Sequence, residues 1–91
     1  MARVAVLLRV MPNSLDINLG DLKLAIEKKL PGSYKILDSK EEPIAFGLKS
    51  LMLLISMEEN TEGGTEELES KVKDVEGVEE VEVENISRIS E

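Results

Sequence analysis

The sequence predicts an α+β sandwich with the element order β-α-β-β-α-β, and three observations carry that prediction. Residues 2–10 alternate between two faces, which is the period of a strand. Residues 41–57 hold the most apolar run of the chain, Leu51-Met52-Leu53-Leu54-Ile55, behind turn residues at Pro43 and Gly47. Two other stretches, residues 18–30 and 65–75, space their apolar residues as helices do.

The first strand sets Val4, Val6, Leu8 and Val10 on one face and Arg3, Ala5, Leu7 and Arg9 on the other. Met11-Pro12-Asn13-Ser14 ends it with turn chemistry. In the first helix Asn18 is the N-cap, and Asp21 lies three residues later, where a carboxylate favours the positive helix terminus. Leu19, Leu22, Ile26 and Leu30 form its apolar stripe, and Pro31-Gly32 stops it. The second strand begins at Tyr34 and continues through the polar stretch Asp38-Ser39-Lys40-Glu41-Glu42. That polarity suits an edge, because charge there discourages addition of further strands. The third strand, residues 48–57, is apolar on both faces and therefore central. A loop over residues 58–64 follows, then a second helix capped by Thr65, with Leu68, Val72 and Val75 as its stripe. Gly77 stands where a left-handed C-terminal cap is expected. In the fourth strand, residues 78–89, Val81 and Val83 point inward and Glu80, Glu82 and Glu84 outward, until Ile86 breaks the phase. Either a β-bulge near Glu84-Asn85 restores it or the strand ends there. Right-handed crossovers then give a ferredoxin-like sandwich, a four-stranded antiparallel sheet of order 4-1-3-2 with both helices on one face. In that topology the hairpin between strands 2 and 3 and the C-terminus lie on opposite rims, about 25–30 Å apart.

The chain has 91 residues, which fits a single domain over residues 1–91 with one small core. It carries 19 acidic and 11 basic residues, a net charge of −8. Such a surface repels phosphate backbones, so nucleic acid is not an expected partner. There is no Cys and no His, which excludes disulfides, thiolate chemistry and histidine acid–base catalysis. The opening residues alternate like a strand, are too few to span a membrane and carry no cleavage-site pattern, so a cytoplasmic location without membrane contact is expected. The richness in Glu and Lys fits a heat-adapted source.

Few residues suggest chemistry. No phosphate loop or dinucleotide fingerprint is present, so the chain is expected to bind neither GDP nor GTP and to need no cofactor. Gly63-Gly64-Thr65 at a helix start offers free N–H groups, but Glu58, Glu59, Glu62, Glu66 and Glu67 surround it and disfavour a phosphate. Those acids lack the alternating ligand spacing of a calcium loop. The frame is shared with RNA-recognition domains, yet Tyr34 and Phe46 are the only aromatics and neither stands on strand 1 or 3. No Ser or Lys has a visible activating base. Two other functions fit the same frame: a regulatory module binding a small molecule, and an acylphosphatase-like enzyme. The latter would need Arg and Asn in an anion cradle where Met11-Pro12-Asn13-Ser14 stands. Phe46, set between Ala45 and Gly47, is the residue of most interest. Packing alone favours a plug at the end of the core; an exposed contact at the hairpin tip is the alternative.

At Glu42-Pro43-Ile44-Ala45-Phe46-Gly47-Leu48 the sequence resembles the elongation factor 1-beta family, guanine-nucleotide exchange factors of elongation factor 1-alpha. Arg9-Val10-Met11-Pro12 and Gly63-Gly64-Thr65 support the likeness, and the length is that of the archaeal members. The resemblance covers the whole chain. It implies a factor that acts by binding and does no covalent chemistry, a monomer when free, whose partner is elongation factor 1-alpha in its GDP-bound and nucleotide-free forms. It implies that the hairpin, Pro43, Ile44, Ala45, Phe46 and Gly47, contacts the partner's β-barrel domain. It also implies that the C-terminal end works near the switch regions and the Mg²⁺ site. There the eukaryotic domains place a Lys just before their last residue. Here that place is Ser90, and Arg88 is the nearest cation, so Arg88 and Ile89 are the candidates at this end.

Overall fold

The structure, a computed structural model, describes residues 3–59 and 64–89. Its elements follow the expected order: β1 Arg3–Pro12, α1 Leu19–Lys29, β2 Lys35–Pro43, β3 Lys49–Glu58, α2 Gly64–Lys73 and β4 Val78–Ile89. The sheet is antiparallel with the order β2-β3-β1-β4, which is 4-1-3-2 counted from the other side.

The core lies between the sheet and the two helices. Val6, Leu8 and Val10 of β1 meet Ile55, Leu53 and Leu51 of β3 in register, and all six are buried. Leu19, Leu22 and Ile26 of α1 and Leu68 and Val72 of α2 close over them, so both helices cover one face. Alternation explains this directly, since it puts every second strand residue on the covered side. Asn18 caps α1 by accepting a hydrogen bond from the Asp21 N–H at 3.0 Å.

Several boundaries differ from expectation. β1 runs on through Met11 and Pro12, because β4 is long enough to pair with both. Pairing with β3 has ended at Val10, so the missing N–H of Pro12 breaks no ladder on that side. Tyr34 precedes β2 and is buried in the core. Leu48 belongs to the turn, with β3 starting one residue later. Helix α2 is formed from Gly64, which puts Thr65 inside its first turn rather than at the cap; Gly63 lies outside the described residues. Glu62, one of the acids expected around that helix start, lies outside them as well.

Three register irregularities shape the sheet. In β4, Val83 pairs with Leu8 and Asn85 with Leu7, so Glu84 is the extra residue of a bulge. This returns Ile86 to the covered face, opposite Val6, where it stays half exposed. A second extra residue, Glu79, falls near the start of β4. In β2 the extra residue is Leu37, also half exposed. At the end of α2, Gly77 takes a φ of 100°. A Cβ there would lie 3.1 Å from Cδ1 of Ile17, so any other residue would both carry the strain of positive φ and press on that side chain. The Gly77 carbonyl accepts from the Asn13 N–H at 2.9 Å, which ties the β1–α1 connection to the turn before β4.

Candidate partner-binding site

The β2–β3 hairpin reverses direction in a β-turn over residues 45–48. The Leu48 N–H donates to the Ala45 carbonyl at 3.1 Å and the Ile44 N–H to the Leu48 carbonyl at 2.8 Å. The central residues, Phe46 and Gly47, have φ of 58° and 79°. Positive φ at both positions is the mark of a type I′ turn, whose twist matches that of the flanking strands. Gly accepts that conformation freely, whereas Phe does not, and a bulky residue there carries strain of about 1 kcal/mol or more. The side chain of Phe46 gains no burial in return: the residue is 94% exposed. It is therefore not a plug on the core. Pro43, Ala45 and Gly47 are exposed beside it, and Ile44 is half-buried at the stem.

The opposite rim holds the other candidates. β3 ends at Glu58 and β4 ends at Ile89, each paired with Arg3 at the start of β1. Since Lys49, by the hairpin, and Glu58 are the two ends of one strand, Phe46 and Arg88 lie at opposite ends of the sheet. Ile89 is half-buried. Arg88 is exposed but paired: its Nε donates to Glu59 Oε1 at 3.0 Å, and its Nη2 donates to the same oxygen. Ser90 lies outside the described residues.

Some features at these rims had no clear signal in the sequence. Leu15, in the connection after β1, is 65% exposed on the hairpin rim. It borders an open groove of about 400 Å³ that Pro12, Ile17, Gly47, Leu48 and Lys49 also line. Glu59 was visible only as one of several acids, and its pairing with Arg88 depends on β3 and β4 ending at the same rim. Arg9 sits mid-strand on the face opposite the helices, between Glu42 and Glu84. Among the described residues, no three carboxylates gather where they would hold a metal ion. No described helix is long and apolar enough to cross a membrane.

Fold and site together define a small α+β domain with a solvent-exposed aromatic at one rim and a salt-bridged arginine at the other. The chain belongs to the family of EF-1 guanine nucleotide exchange domains, whose model matches residues 5–89. Its relatives are archaeal proteins named elongation factor 1-beta. That of Aeropyrum pernix is 56% identical over 89 residues, covering 98% of this chain and 99% of the relative. That of Staphylothermus marinus is 56% identical over 90 residues, covering 99% and 100%. That of Sulfolobus acidocaldarius is 49% identical over 86 residues, covering 94% and 96%.

Proposed function

We propose that this chain promotes exchange of GDP for GTP on elongation factor 1-alpha, and that it does so by binding alone. The hairpin residues Pro43, Ile44, Ala45, Phe46 and Gly47 contact the partner's barrel domain. Arg88 and Ile89, at the other rim, face the switch and Mg²⁺ region. The observation that carries this reading is the state of Phe46. A large apolar side chain held in water on a strained backbone has no role in the fold, and such residues mark surfaces that another protein covers. Family membership supplies the reaction.

An exchange factor must bind the nucleotide-free GTPase more tightly than the nucleotide-bound one. By reciprocity, nucleotide then binds the complex more weakly by the same factor. Disturbing the loops that hold Mg²⁺ and phosphate achieves this without breaking a covalent bond. The factor needs no cofactor of its own, works as a monomer and acts in the cytoplasm, where its GTPase is. The paired state of Arg88 bears on how it would act there: Glu59 already offsets its charge, so Arg88 must exchange that carboxylate for a partner group.

The test is release of labelled GDP from elongation factor 1-alpha. The parent chain is expected to accelerate release at substoichiometric amounts. A folded parent chain without effect on release would overturn the proposal.

A further inference from the structure

Arg9 stands near the middle of the sheet face that the helices leave open. Its Nη2 lies 3.3 Å from Glu42 Oε1 and 3.4 Å from Glu84 Oε1. Glu42 belongs to the edge strand β2, Arg9 to β1 and Glu84 to the other edge, β4. The three side chains therefore reach across the whole sheet, passing over β3. They are partly withdrawn from water, with side-chain exposures of 25% for Arg9, 41% for Glu42 and 32% for Glu84. Charges in such places are screened less than fully solvated ones. Met52, the register partner of Arg9 on β3, is buried. Ser50 is buried too, and its Oγ donates to the Glu42 carbonyl at 3.3 Å. Glu42 is thus held by its backbone and by its carboxylate.

Both acids occupy places where the chain changes course. Glu42 is the residue before Pro43, where the strand gives way to the hairpin turn. Glu84 is the extra residue of the β4 bulge, and the strand beyond it leads to Arg88 and Ile89. One arginine nitrogen therefore joins the stem of one rim's contact to the pivot of the other's.

We propose that Arg9 is a positioning residue that fixes the hairpin and the tail relative to each other, so that both rims meet the GTPase together. This rests on the exchange-factor reading above. Once one rim is bound, the second contact forms within the same complex, and its gain depends on the second rim being held at the right place. Arg9 acts through Glu42 and Glu84.

Arg9→Met keeps an apolar stem beside Met52 and removes the charge. Arg9→Lys keeps one charged nitrogen, which suits a site where one nitrogen meets both carboxylates. In labelled-GDP release, Arg9→Met is expected to lower the acceleration about tenfold, a coupling of ordinary size, and Arg9→Lys to restore most of it. Binding to elongation factor 1-alpha supplies a second readout, in a background carrying Arg88→Ala and Ile89→Ala. With the tail contact removed, Arg9→Met should leave affinity unchanged; with the tail intact it should weaken affinity. Equal effects in both backgrounds, or undiminished exchange by a folded Arg9→Met variant, would overturn the proposal. A folded parent chain that fails to accelerate release would instead overturn the exchange reading itself. Should Arg9→Met not fold, Glu84→Gln loosens the same link from its outer end and must show the same pattern.

Discussion

At Phe46 the backbone conformation and the side chain work against the isolated fold. The turn demands positive φ and the ring lies in water. Phe46→Ala should therefore change stability little, where a core aromatic would cost about 3–5 kcal/mol. Phe46→Gly should match or exceed the parent in denaturant melts, because it relieves the left-handed strain. Both should weaken the complex with elongation factor 1-alpha by about 2 kcal/mol or more. An early-melting variant with normal binding would return Phe46 to the fold. Exposure here was not legible in the sequence, because an aromatic beside an apolar run is usually packed and Phe-Gly is not an ordinary turn pair. The family motif implied an exposed ring where packing statistics implied a buried one, and the ring is exposed. Tyr34 shows the converse case. It is buried, and its hydroxyl has no partner among the described residues. Burial, with the nearby Glu67 carboxylate, raises its pKa above 10.0. The folded chain thus holds the phenol proton more tightly than the unfolded chain does. Its contribution to stability is intact below pH 10.0 and declines as pH rises through the folded value. Ultraviolet titration of this single Tyr should give a midpoint above that of the unfolded chain; equal midpoints would contradict its burial.

At the scale of the element, legibility followed phase. Val81, Val83 and Ile86 cannot share a face without one extra residue between them, so the bulge at Glu84 could be inferred from the sequence. The bulge at Leu37 could not, because β2 is too polar for a slip of phase to show. Its place on an edge strand has a physical use, since a bulge twists the edge away from further pairing. The start of α2 was misplaced by two residues, an ordinary uncertainty at helix ends. β3 has seven of its ten residues buried, whereas β2 has none. Amide exchange should accordingly be slowest in β1 and β3 and fastest in β2. Protection of β2 equal to that of β3 would mean that its outer edge is covered in solution.

At the scale of the molecule, topology was the most legible feature. Once the six elements were ordered, the handedness of the crossovers left few alternatives, and strand direction placed the hairpin and the tail on opposite rims. What the sequence did not reveal was the link between them, because Arg9 in an alternating strand looks like any solvated face residue. Both free edges are guarded, β2 by charge and its bulge, β4 by Glu79, Glu80, Glu82 and Glu84. Sedimentation equilibrium should therefore return the mass of one chain over a wide concentration range. A mass rising towards two chains would show that an edge is open to pairing. The molecule measures 41 × 20 × 18 Å, with both candidate contacts at the ends of the sheet. Such a sheet is a gauge graduated in pairs of residues. Two residues added to each strand would part its jaws by about 7 Å and leave every side chain on its own face; one residue would turn those faces over. Changes in chain length that preserve the fit to a partner of fixed size are therefore confined to the connections, and the strands must keep their count.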